Sequence, residues 1–191
     1  MNFLSHPLRL FAALMGLHLA VTNRFIDEYW QRSVQLGSFE NAWEAINKER
    51  VYYLMLGTSH RPYDCVALNV TETFPGVKAI HYEVKMYNAS LRITEKYSGS
   101  AVVLRDVRGI QSTIEWINKE MGRIRKSQVL YTEKNNRCFV LYYPDTSDYE
   151  LWVNTNETNF IPRCCEFAFT FVTYELETYI NFNKIICRDV V

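Results

Sequence analysis

After residue 50 the chain breaks into short β-like runs at a spacing of roughly ten residues, and this rhythm restricts its fold more than any other feature. The runs are Val51–Leu56, Cys65–Val70, Val77–Tyr87, Leu91–Tyr97, Ala101–Val107, Gln111–Ile117, Ser127–Thr132, Arg137–Tyr143 and Tyr149–Val153. Polar or Gly/Asn turns, such as Ser98-Gly99 and Asn135-Asn136, separate them. The clearest run places Ile80, Tyr82, Val84 and Met86 on one face and Ala79, His81, Glu83 and Lys85 on the other. Eight or nine such antiparallel strands form a barrel or a sandwich. With 13 Tyr, 11 Phe and 4 Trp, the composition favours an eight-stranded barrel with an aromatic-lined interior. A barrel of that size holds one small ligand.

A helix is expected on each side of the strands. Ser38 is a plausible N-cap, with Phe39, Trp43 and Ile46 at helical spacing up to Glu49. A second helix is predicted over Glu166–Asn181, carrying Phe167, Phe171 and Tyr174. These helices would cover the outside of the barrel or one mouth. Repeats, low-complexity tracts and linkers are absent from the sequence, so residues 23–191 read as one domain.

Residues 1–22 read as a secretory leader. Arg9 supplies the positive flank, Leu10–Val21 the apolar run, and Ala20 and Thr22 suit cleavage near Thr22. That run falls short of the ~20 apolar residues of a membrane span. The remaining chain is expected to be secreted and soluble, not membrane-bound. Lys plus Arg and Asp plus Glu each number 21, and losing Arg9 leaves the mature chain near −1. Such a balance offers no basic field for nucleic acid or anionic lipid. The cluster Lys119, Arg123, Arg125 and Lys126 reads as a solvated turn or short helix.

Five cysteines follow the leader: Cys65, Cys138, the adjacent pair Cys164 and Cys165, and Cys187. In a secreted chain disulfides are the default, and an odd count leaves one thiol over. Asn69, Asn88 and Asn156 open N-glycosylation sequons.

Two acids stand out. Alternation puts Glu95 on the apolar face with Leu91, Ile93 and Tyr97. Burying a lone carboxylate costs several kcal/mol unless a cation resolves it. Glu95 therefore either meets a cationic ligand, pairs with an internal Arg, or lies near the strand end and reaches water. Glu150 shares a face with Trp152, opposite Tyr149, Leu151 and Val153. An acid beside an aromatic face is a sensible ammonium site, combining an ion pair with a cation–π contact of ~0.5–2 kcal/mol. The alternative is a solvent-facing Glu150 with Trp152 in a structural cluster. No metal-ligand spacing, nucleophile elbow or phosphate-cradling glycine loop is present in the sequence, and His60 and His81 stand far apart. Neither an enzyme nor a cofactor is expected.

The chain resembles the tick salivary lipocalins of the histamine-binding-protein group. The matching stretches are Asn41-Ala42-Trp43, Val51-Tyr52-Tyr53, Cys65-Val66, Thr94-Glu95-Lys96, Cys138, Tyr149-Glu150-Leu151-Trp152, Ile161-Pro162 followed by Cys165, and Cys187. They occur in the expected order over nearly the whole mature chain. The resemblance implies bridges Cys65–Cys187 and Cys138–Cys165, with Cys164 left over and expected to be buried and inert. It also implies a lipocalin barrel in which Glu95, Glu150, Trp152 and Trp43 serve the ligand, with Glu95 and Glu150 as amine counter-ions.

Departures from the family pattern are equally specific. The loop 57–64 is short, and only Tyr63 and Asp64 stand where an acid and an aromatic belong. Ala45 replaces a serine, and Val129 an acid. The expected function is sequestration of a small host mediator, foremost histamine or serotonin, by a monomer. An apolar ligand (leukotriene, fatty acid or sterol) and a host immune protein are the competing partners.

Overall fold

The computed structural model describes residues 38–188, so the expected leader and its expected cleavage near Thr22 lie outside the described residues. Eight antiparallel strands close on themselves: β1 (Val51–Gly57), β2 (Cys65–Phe74), β3 (Ala79–Asn88), β4 (Ile93–Leu104), β5 (Thr113–Asn118), β6 (Ile124–Thr132), β7 (Cys138–Tyr143) and β8 (Asp148–Asn154). Each pairs with the next, and β1 pairs with both β2 and β8, which shuts the barrel. The register shifts beside Leu54, Val70 and Val129 through β-bulges. Bulges bend a strand and tighten its twist, which a closed barrel of this size requires.

A short helix α1 (Ala42–Ile46) precedes the barrel, and helix α2 (Arg163–Val172) follows it. The chain then adds β9 (Tyr179–Ile180) to the edge of β1 and ends in α3 (Lys184–Arg188). In α1, Asn41 rather than Ser38 is the cap, accepting from the Glu44 N–H. The helix is shorter than expected because Asn47 already leaves helical geometry. Ala42, Ala45 and Ile46 are fully buried in the same cluster as Val70, Ala101, Ile114 and Val129. Ala42 N–H donates to the Gln111 carbonyl, and Asn136 binds the Glu44 carbonyl. Thus α1 closes the end of the barrel formed by the β4–β5 and β6–β7 turns.

Two further expectations need correction. Ser98-Gly99 is not a turn: the two runs around it form the single strand β4. Gly99 is required there because a Cβ would meet the Tyr82 ring and the Ile117 carbonyl of the flanking strands. The C-terminal helix stops at Val172 instead of Asn181, since Glu175 adopts a φ of 72° and the chain turns to form β9. Its aromatic stripe also faces outward: Phe167 and Phe171 stack on each other in solvent, while Cys165, Ala168, Phe169 and Val172 pack on the barrel. By contrast Asn135-Asn136 does lie in a turn: both residues are left-handed, with φ of 75° and 57°, and the Asn136 N–H donates to the Glu133 carbonyl at 3.1 Å.

Cys65–Cys187 and Cys138–Cys165 are bonded, with Cα separations of 5.4 and 6.3 Å. The first ties β2 to α3, the second β7 to α2. Cys164 is a free thiol. It is half-buried, not buried as expected, because it sits on the first turn of α2 against the Tyr131 hydroxyl.

At the closed end, Arg108 bridges Asp106 and the almost fully buried Glu40. Burial raises the Glu40 carboxyl above its ordinary value against the pull of Arg108. Burial opposes the Asp106 charge too, but bonds from Arg108, Ser112 and the Ile110 N–H outweigh it and hold that carboxyl low.

Candidate functional site

The barrel interior holds a cavity of about 600 Å³. Period-two alternation builds its wall: Val66 and Leu68 from β2, Tyr82, Val84 and Met86 from β3, Leu141 and Tyr143 from β7, and Glu150 and Trp152 from β8. Tyr97 and Trp116 complete the aromatic lining. The mouth lies at the end opposite α1, where Arg61, Met121, Arg123, Ile124, Arg125, Asp145 and Thr146 form its rim.

Glu150 is the charged centre of this cavity and is only 2 % exposed. It faces inward because it shares the face of Trp152, as alternation along β8 requires; the solvent-facing alternative does not hold. Three donors satisfy it. Arg61, from the β1–β2 loop, forms an ion pair with Oε1. Trp152 donates its indole Nε1–H to Oε2 at 2.8 Å. The Tyr143 hydroxyl bonds the same carboxylate. Burial foremost, and then the Glu150 charge, push Tyr143 far above the ordinary tyrosine value, so it stays a neutral donor. Burial works against the Arg61 charge, but Glu150, with Tyr143 and Asp148, outweighs it and raises that guanidinium above its usual value.

Next to this centre, Arg125 lies 3.8 Å over the Tyr143 ring and reaches Asp145 at 3.2 Å and Thr146 at 2.7 Å. The edge-to-face pair of Tyr82 and Trp116, with centroids 5.3 Å apart, and the Tyr82–Tyr97 pair at 6.4 Å form an aromatic wall. A flat cationic ring system would find both a counter-ion and π faces here.

The other expected site residues do not join it. Glu95 lies opposite Met86 in the sheet, but β4 runs past the depth of the barrel there, so the side chain is exposed at the rim. It accepts a hydrogen bond from Tyr63 at 2.9 Å. The strand-end alternative for Glu95 is therefore the one observed. Trp43 packs partly buried against the core from α1 and does not line the cavity. Asp64 is spent on structure, accepting from the Ala89 N–H at 2.7 Å. Val129 is 1 % exposed within the apolar core.

Arg61, Tyr143 and the rim arginines were not foreseen. Tyr143 was legible from its alternation with Leu141. Arg61 lies in a loop without periodicity, and no local signal points it inward. Of the basic segment, Lys119 and Arg123 lie in the exposed β5–β6 connection, as a solvated turn, whereas Arg125 and Lys126 belong to β6; Arg123 and Arg125 line the mouth.

Among the described residues no group of His, Cys, Asp and Glu is placed to hold a metal, and no helix is long and apolar enough to cross a membrane.

Known proteins place this barrel. The family model described as tick histamine binding protein matches residues 30–188. A male-specific histamine-binding salivary protein of Rhipicephalus appendiculatus is 24 % identical over 166 residues, covering 80 % of this chain and 82 % of that protein. The fold matches AM182 solved with serotonin (TM-score 0.56, 18 % identity, 75 % of this chain and 90 % of that one). It also matches Japanin of R. appendiculatus bound to cholesterol (TM-score 0.55, 14 % identity, 74 % and 97 %). These relatives are ligand-binding lipocalins, and the closed eight-stranded barrel described above is the lipocalin fold. With a family match spanning most of its length, the chain belongs to the tick histamine-binding protein family.

Proposed function

We propose that this protein is secreted in tick saliva and sequesters a small biogenic amine, histamine or serotonin, inside its barrel. One observation carries the reading: Glu150 is a buried carboxylate at the centre of an aromatic cavity. An amine entering the mouth would set its ammonium on Glu150 and its ring against Tyr97, Trp116 and Trp152. Sequestration needs no catalysis, only affinity and abundance, and the site offers none of the paired groups that acid–base chemistry requires. Isothermal calorimetry with histamine and serotonin tests it. Stoichiometric heat that disappears in Glu150→Gln is expected; no heat from either amine at high protein concentration overturns it.

An apolar ligand is the second reading, because Val66, Leu68, Val84, Met86 and Leu141 make half of the wall aliphatic and Glu150 is already neutralised by Arg61. Native mass spectrometry of the secreted protein separates the two. A co-purified lipid favours the second reading, and an empty barrel counts against it.

A further inference from the structure

We propose that Arg61 is the specificity-determining residue of the cavity, a resident cation that an incoming ammonium must displace from Glu150. The inference rests on the amine reading of the same site and adds what controls its affinity.

Three donors already engage the Glu150 carboxylate. Trp152 and Tyr143 are neutral donors that would stay in place beside a bound ammonium, since neither competes for charge. Arg61 does compete: its guanidinium occupies the position a ligand cation would need. Two cations cannot share one buried carboxylate without strong repulsion. The ligand-competent form is therefore the one with Arg61 swung away.

The loop itself is poorly suited to move. Thr58 and Tyr149 exchange hydrogen bonds at its start, at 3.1 and 2.9 Å. At its end the Asp64 N–H binds the Tyr87 carbonyl at 2.8 Å, and Tyr63 is tied to Glu95. The Arg61 side chain, in contrast, is 24 % exposed and stands at the mouth. Rotation of one long side chain into solvent, with the backbone held, opens the site. Apparent affinity falls by the fraction of molecules in the open form, so a form populated at about a tenth or less weakens binding about tenfold or more.

The consequence is selectivity by charge density. A neutral ligand can lie in the cavity with the Arg61–Glu150 pair intact, whereas an amine must break it. Removing Arg61 should therefore favour amines alone.

The test compares tryptamine with tryptophol, its neutral hydroxyl counterpart, by calorimetry at pH 8 on wild type, Arg61→Gln and Glu150→Gln. The expected result is that Arg61→Gln binds tryptamine about tenfold tighter or more. Tryptophol affinity stays within about twofold and Glu150→Gln loses the tryptamine preference. Should Arg61→Gln melt far below wild type, Arg61→Lys, which keeps the charge but not the planar fork, gives a smaller tightening in the same direction. Unchanged or weaker tryptamine binding in both Arg61 variants, with Glu150→Gln still abolishing it, overturns the inference and leaves the amine reading standing. Equal tryptamine binding by wild type and Glu150→Gln overturns the amine reading itself, and this inference with it.

Discussion

Trp152 hands its indole N–H to the carboxylate of Glu150, 2.8 Å away and two residues back on the same strand. Strand periodicity thus puts a charge and the donor that orients it side by side on the inner wall. The pair fixes where a ligand cation would meet negative charge.

Glu150→Gln is expected to weaken amine binding by about 2–4 kcal/mol, since truncating one partner of a buried charge pair costs that much. It also leaves Arg61 without its partner, so a lower melting temperature should accompany it. Glu95→Gln, at the exposed rim, is expected to shift amine affinity less than about threefold, within the ~0–1 kcal/mol typical of exposed charges. Parallel titrations of the two variants decide whether one carboxylate or two serve the ligand.

The closed end should govern acid stability. Asp106 is held below its ordinary value of 3.8, so its contribution is present above that pH and is lost as pH falls through its folded-state value. Glu40 runs the opposite way: raised above 4.5, its contribution is present below that pH and is lost as pH rises through its folded-state value. Asp106→Asn should therefore flatten the acid limb of a melting-temperature profile below pH 3.8. Arg108→Met strands Glu40 and should cost about 3 kcal/mol in urea unfolding at neutral pH.

The two bridges close segments of 122 and 27 residues. Cys138→Ser with Cys165→Ser should lower stability by about 3 kcal/mol on the loop-entropy scale. Peptide mapping of the native protein should find Cys164 alone modified by iodoacetamide, because its thiol is partly exposed while the other four sulfurs are bonded.

Of the three sequons, Asn156 is exposed on a turn just past β8. Asn69 lies within β2, and Asn88 donates to the Pro62 carbonyl and accepts from the Leu91 N–H. Protein secreted from insect cells is expected to carry its glycan chiefly at Asn156, and Asn156→Gln should remove most of the mass released by a glycosidase.

The strands and much of their inward set were readable because Ile80, Tyr82 and Val84, or Glu150 and Trp152, obey a period of two in mid-strand. The same period left Glu95 open between a ligand and solvent, since alternation gives a side but not how far a strand outruns its barrel. Ser98-Gly99 misled for a different reason. Its glycine answers to the Tyr82 ring on the neighbouring strand, a contact that exists only after pairing. Arg61 was invisible because a loop side chain is aimed by the strands at its ends, not by its neighbours in sequence.

Helix α1 turns the barrel into a cul-de-sac. Among the described residues, water leaving and ligand arriving would pass one another through the mouth at the far end, beside Arg61, Arg123 and Arg125. Residence time therefore depends on the doorway as much as on the floor. A molecule longer than the chamber would leave its tail in solvent. The length of a captured molecule thus decides whether it is hidden or displayed.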